Sequence, residues 1–310
     1  MTFSKRQFFS WLSAFFFFLV FAFSVYWKYP LFVDRFYEEA GWLKAHLSKK
    51  HLSTSNYRFC YVEKGRGETL LLVHGFRSDK RYWKNYIRKL GEGYHYVALD
   101  LPGHGETLAK GAVHFDLLSI ADALNEFMEA KKIDSCVLIG TSLGAGFVME
   151  YAFRHPDKIK KVILINPVAL RPKTEPALRE MVEKNKQRFS PRTVLQLDEL
   201  LLCLNGALPA YPAAVKNYLL KKTKAGNKQA QKMLEEAATS SGAESYLAHL
   251  KMPVLILQGD RDQIVNLQER AVYERKLSCL SYKMIAGGYH IFSSQSLKAA
   301  AAEIKNFLNE

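Results

Sequence analysis

The sequence predicts a parallel, doubly wound α/β sheet interrupted by a helical insertion and preceded by an apolar helix. Three observations carry that prediction. From Tyr57 onward, short Val/Ile/Leu-rich runs alternate with longer segments of helical periodicity. Residues 169–251 break this rhythm with helical patterns alone. An almost uninterrupted apolar run, Phe8 to Trp27, stands ahead of both.

That run is long enough to span a membrane, because about 20 apolar residues in a helix cross the hydrocarbon core. Trp11, Tyr26 and Trp27 would fall near its two interfaces. A cleavable signal peptide has a shorter apolar region and a small-x-small exit, which only Ala22-Phe23-Ser24 approximates. An uncleaved, single-pass anchor over residues 1–28 is therefore expected. Lys5 and Arg6 precede it, while Lys28, Arg35, Lys44, Lys49 and Lys50 follow. The richer basic side faces the cytoplasm, which puts the rest of the chain there. Residues 29–56 read as an amphipathic linker. Phe32, Phe36, Leu43 and Leu47 share one helical face, suited either to a membrane surface or to the globular body. "SKKHLSTSN" (48–56) reads as a polar junction.

The strand candidates are residues 57–63, 69–75, 95–101, 135–140, 161–167, 253–259 and 281–287. Most are continuously apolar, which marks strands covered on both faces. Helical patterns occupy about 79–90, 115–132, 143–155, 266–277 and 294–308. The order implies a parallel sheet with its chemistry at the carboxyl ends of the strands. The core is thus divided, 57–168 and 252–310, around an insertion at 169–251. That insertion is too long for a loop. It reads as a helical cap, with Ser190-Pro191 as one helix start. Within it, "LLLCLNGALPAYPAA" (200–214) is apolar and broken by Gly206, Pro209 and Pro212. A substrate gate, a membrane-dipping lip and the cap's own small core all fit that stretch.

Gly140-Thr141-Ser142-Leu143-Gly144 joins a strand to a helix and matches G-x-S-x-G. Glycines two before and two after the serine allow strand and helix to meet closely. A serine hydroxyl becomes a nucleophile only beside a base. His290 closes "MIAGGYHIF" just past the final strand and so reaches the same face as Ser142. The base in turn needs a carboxylate, which "LILQGDRDQIV" offers as Asp260 or Asp262; spacing does not choose between them. Donors for an oxyanion would be the N–H of Leu143, first in the following helix, and that of Phe76, in the loop after "LLLVHG". His74 and Gly75 then shape that loop, while Asp100 and His104 shape the neighbouring "DLPGHGET".

Net charge is +14, yet no basic helix accompanies a nucleic-acid reading motif. The charge suits anionic lipid headgroups instead. Cys60, Cys136, Cys203 and Cys279 lie far apart without CxxC spacing, so neither zinc nor a disulfide framework is expected.

These motifs together resemble the α/β-hydrolase superfamily. His74-Gly75-Phe76, Asp100 to Gly105, Gly140 to Gly144, Gly259 to Asp262 and Gly287 to His290 stand in its order. "VHGFRSDKRYW", "VALDLPGHGET" and "LIGTSLGAG" behind a membrane span are similar to the membrane-anchored monoacylglycerol lipases of that group. The resemblance implies Ser142, Asp262 and His290 as the catalytic set, with Phe76 and Leu143 as the oxyanion pair. It implies hydrolysis of a lipid ester, monoacylglycerol first, without metal or organic cofactor. Carbon–carbon hydrolases of ring-cleavage products and short-chain carboxylesterases share the pattern. A binding protein retaining the fold is the non-enzyme alternative. One departure is Gly144-Ala145, where many relatives carry Gly-Gly.

Overall fold

A computed structural model describes residues 5–28, 42, 47–168, 186–239, 247–265 and 270–310. Its strands are β1 (Ser48–Ser53), β2 (Tyr57–Lys64), β3 (Glu68–Val73), β4 (Tyr94–Leu99), β5 (Leu108–Ala109), β6 (Cys136–Thr141), β7 (Ile159–Ile165), β8 (Val254–Gly259) and β9 (Leu280–Ile285). Its helices are α1 (Lys5–Lys28), α2 (Lys84–Leu90), α3 (Leu117–Lys131), α4 (Leu143–Arg154), α5 (Val194–Asn205), α6 (Ala213–Ala225), α7 (Asn227–Thr239), α8 (Arg270–Lys276) and α9 (Ser294–Asn309).

The strands form one sheet in the order β1-β2-β4-β3-β6-β7-β8-β9, with β5 paired to β2. Pairing is parallel from β4 to β9 and antiparallel at the β1-β2-β4 edge. Strand order reverses around β3: the chain passes from β3 to β4 on one side, then returns to β6 on the other. In such sheets the crevice at that reversal, beyond the strand carboxyl ends, receives the ligand. His74 leaves β3 there and Ser142 leaves β6 beside it.

Burial explains why the strands read as continuous apolar runs. Leu71, Val73, Leu138 and Leu164 pack against α3 and α4 through Leu124, Phe127, Phe147 and Tyr151. The alternate residues Leu70, Leu72, Ile139 and Ile163 pack on the opposite face against Ile87 of α2 and Ile304 of α9. Two covered faces leave no place for polar alternation.

Several expectations need correction. Ser48–Ser53, read as polar junction, is the edge strand β1, paired with β2 over its full length. Its exposed Lys49 and Lys50 concealed it, yet such lysines are how an edge strand deters a second sheet. The helix expected from Ser190-Pro191 begins at Val194, capped by Thr193, whose side chain accepts the N–H of Gln196 at 3.2 Å. Phe32, Phe36 and Leu43 of the helical face read in the linker, and residues 169–185 of the insertion, lie outside the described residues. So do residues 266–269 of the helix read over 266–277. At the N-terminus, α1 has 24 residues, and the side chains described are those of 11–24. Among the described residues no helix is long and apolar enough to cross a membrane. Trp11, Phe15 to Phe18, Phe21 and Phe23 are exposed, and α1 touches α6.

Candidate active site

Ser142 sits between β6 and α4 with φ 53 and ψ −126. Such a backbone costs a residue with a β-carbon about 1–3 kcal/mol, so the surroundings must enforce it. They do so by contact. A β-carbon at Gly140 would stand 2.7 Å from the Gly144 carbonyl oxygen, and one at Gly144 would collide with the His74 carbonyl. One at Gly75 would approach the Ser142 β-carbon to 2.9 Å. Strand, helix and the His74–Phe76 loop therefore close around the serine.

The imidazole of His290 lies beside its hydroxyl, with Nε2 at 2.9 Å from Oγ. Nδ1 is 2.8 Å from Asp262 Oδ2. An ionised carboxylate only accepts, so Nδ1 carries the proton and Nε2 is left to accept from the hydroxyl. Asp262 is oriented from behind: Oδ1 accepts the N–H groups of Ile264 and Val265 at 2.8 and 3.1 Å, and Gln258 Nε2 donates to Oδ2 at 3.3 Å. Asp262 and His290 are 8% and 6% exposed, so little water screens their pairing. Asp260, the other carboxylate on this turn, is exposed and accepts the Gly288 N–H at 3.1 Å. The geometry thus brings residue 262, and not 260, to the imidazole.

Leu143 opens α4 directly after Ser142 and is buried. Phe76 follows Gly75, and its ring meets that of Phe189 edge-on at 5.2 Å. The loop is braced by His74, whose Nδ1–H donates to the Gly75 carbonyl at 2.9 Å while Nε2 accepts the Leu101 N–H at 3.1 Å. Burial pushes the His74 pKa down to about 4 and that of His104 to about 3, keeping both rings neutral. Asp100 is fully buried and accepts from Lys80 N, Lys80 Nζ and Glu106 N at 2.8, 2.6 and 2.8 Å.

The inserted helices reach the same loops. Ile291, next to His290, donates its N–H to the Leu204 carbonyl of α5 at 2.8 Å. Gly206, at φ 73, leaves room for the Tyr289 ring against its backbone. Arg77, next to Phe76, donates to the Phe189 carbonyl, Asn227 Oδ1 and the Thr223 carbonyl at 3.0, 2.9 and 2.5 Å.

Sequence reasoning passes over Arg77 and over Asn166, the residue that follows β7. Asn166 stands just past an apolar strand at the ligand-facing edge, the one local signal that marks it. As for metals, His51, Cys60 and Glu106 bring donor atoms within 4.8 Å of one another. Lys49 and Lys80 already bond the Glu106 carboxylate at 3.1 Å each, and their positive charges oppose a cation there.

The alpha/beta hydrolase fold family matches residues 68–296. The chain belongs to that family. Among α/β-hydrolases it is similar to a monoacylglycerol lipase of Xenopus laevis, 23% identical over 275 residues, 84% of this chain and 82% of the relative. It is similar also to Lipase 1 of Psychrobacter immobilis, 25% identical over 85% of each chain. A solved membrane phospholipase A, described as a bacterial virulence factor, aligns with a TM-score of 0.82 at 27% identity, covering 97% of this chain and 98% of its own.

Proposed function

We propose that this chain is a membrane-anchored serine hydrolase that cleaves carboxylic esters of lipids, first among them monoacylglycerol to fatty acid and glycerol. The observation that carries this reading is the His290 ring held between Ser142 Oγ and Asp262 Oδ2, at 2.9 and 2.8 Å.

In this mechanism Ser142 Oγ attacks the ester carbonyl while His290 Nε2 takes its proton. Asp262 stabilises the imidazolium without taking the proton itself. The negative oxygen of the tetrahedral intermediate accepts from the N–H groups of Leu143 and Phe76. Collapse of that intermediate expels the glycerol alkoxide, which His290 protonates, and leaves the acyl chain on Ser142. Water, losing a proton to His290, then attacks the acyl-enzyme, and fatty acid departs as Ser142 recovers its proton. No step needs a metal or an organic cofactor.

The relatives' names support a lipid ester, and the monoacylglycerol lipases support the glycerol headgroup. The phospholipase A likeness favours a second substrate class, phospholipid acyl esters, cut by the same steps. Residues 1–28 anchor the enzyme in the bilayer that holds its substrate, with the catalytic part on the cytoplasmic side. Exposed Lys221, Lys222 and Lys224 on α6, which α1 touches, suit anionic headgroups. Residues 169–251 serve as cap over a core built from 57–168 and 252–310.

The test is a hydrolysis screen of the purified chain over monoacylglycerols, lysophospholipids and phospholipids, beside Ser142→Ala. The variant is expected to lose turnover by about 10⁴-fold or more while keeping its fold. Wild-type turnover of any ester by that variant removes Ser142 from the mechanism. Failure of a fluorophosphonate to label the wild-type serine would point to the binding-protein alternative.

A further inference from the structure

We infer that Asn166 is a positioning residue for this hydrolysis: its amide ties the turn that carries Asp262 to the backbone of His290, holding the imidazole between carboxylate and hydroxyl. The inference rests on the serine-hydrolase reading and adds to it a residue that no motif marks.

Asn166 is 0% exposed and follows β7 with φ 46, a left-handed backbone that asparagine tolerates better than most residues. Its amide is fully used. Oδ1 accepts the Gly259 N–H at 2.7 Å, at the end of β8 and three residues before Asp262. Nδ2 donates to the carbonyls of Tyr289 and His290 at 3.1 and 2.9 Å. Its backbone N–H donates to the Leu257 carbonyl at 2.8 Å, and the preceding Ile165 carbonyl accepts the Ser142 N–H at 2.9 Å. Two consecutive residues thus bond the segments bearing all three members of the proposed triad.

The chemistry singles out an amide. Gly259 needs an acceptor and the two carbonyls need donors, and asparagine presents both from one short side chain. Leucine would fill the space and leave a buried N–H and two carbonyls unpaired. Aspartate would turn a second acceptor, charged when ionised, toward the carbonyls. The His290 loop has reason to need such a tie: it carries Gly287 and Gly288, and backbone freedom there would let the ring drift. Displacement of a reacting group by about 1 Å can cost about 10²-fold in rate.

The experiment compares the full chain with Asn166→Ala and Asn166→Asp, using a soluble short-acyl ester from about pH 5 to about pH 9, and Ser142→Ala as the blank. Rates are divided by the folded fraction from circular dichroism at each pH. Asn166→Ala is expected to lower kcat about 10²-fold with KM changed less than about threefold, the pattern of lost transition-state geometry. Asn166→Asp keeps the size and supplies its own readout. Protonated, the new carboxyl donates to the His290 carbonyl and accepts from Gly259; ionised, it repels the carbonyls. Its rate relative to wild type should therefore fall about tenfold per pH unit above the ionisation of the new group. The titratable side chains on the loops it touches, Asp260, Asp262, Tyr289 and His290, are present in both proteins, so the ratio isolates the substitution.

A purely structural role predicts lower stability with unchanged kcat per folded molecule and a pH-independent ratio. Either result overturns the inference, and where Asn166→Ala does not fold the ratio decides alone. Wild-type protein without Ser142-dependent turnover overturns the serine-hydrolase reading and this inference with it. Turnover that depends on Ser142 but ignores Asn166 overturns the inference only.

Discussion

Ser142 and Asn166 hold positive φ values of 53 and 46, and neither stands alone. The first is enclosed by glycines that admit its neighbours, the second by hydrogen bonds that use up its amide. The histidines beside them set a pH limit on the fold. His74 and His104 titrate near 4 and 3 in the folded chain, against about 6.5 when unfolded. As pH falls below about 6.5 the unfolded chain takes up these protons first, so the stability they confer is complete above that pH and declines toward 4 and 3. Thermal midpoints should therefore drop between about pH 6.5 and about pH 5, before ordinary carboxylates titrate. A flat profile across that window contradicts the neutral, buried rings. What the sequence discloses at this scale follows from locality. Ser142 and His290 follow apolar strands amid glycines, a pattern readable in one window, while for the carboxylate that pattern leaves Asp260 and Asp262 both open. Asn166 bonds partners 93 and 124 residues away, so its own window shows its place at a strand end but not its role.

Helices and strands were legible to the degree that burial made them regular. β6 and β8 have every residue buried and coincide with their apolar runs to within a residue, while β7 is buried from Val162 to Ile165 and begins two residues before its run. β1 escaped because an edge strand under charged side chains carries no apolar period. The inserted helices were legible as helices but not in how they attach. Arg77 makes that attachment by three hydrogen bonds, to a loop before α5 and to the corner between α6 and α7. Hydrogen bonds from a charged group are worth about 1.5–3 kcal/mol each and are not additive, so Arg77→Ala should weaken the attachment by about 2–4 kcal/mol. Hydrogen exchange should then quicken over residues 213–239 while β6 and β7 stay protected. Unchanged exchange in those helices would show that other contacts hold them.

At the scale of the whole molecule, a charge of +14 and the apolar run Phe8–Trp27 point to one environment. If the run is an anchor, the protein should stay with membranes through alkaline carbonate washing, and a chain lacking residues 1–28 should be released. Protease added outside sealed cells should spare the catalytic part if it faces the cytoplasm; digestion there reverses the proposed orientation. Among the described residues, the inserted helices are fastened to the core at several places. Met233 and Ala237 of α7 belong to the main hydrophobic cluster, and Glu236 accepts the Phe115 N–H at 2.6 Å. Leu204 and Arg77 make further attachments, as do Arg188 to the Gln263 carbonyl at 3.3 Å and Lys232 to the Val113 carbonyl at 2.8 Å. Residues 207–222 hold Pro209, Pro212 and the exposed Leu208 and Tyr211, and Lys216 pairs with Asp198 of α5 at 2.7 Å. If the inserted helices cover Ser142 as proposed, the medium that the exposed Leu208 and Tyr211 rest against decides which molecules arrive.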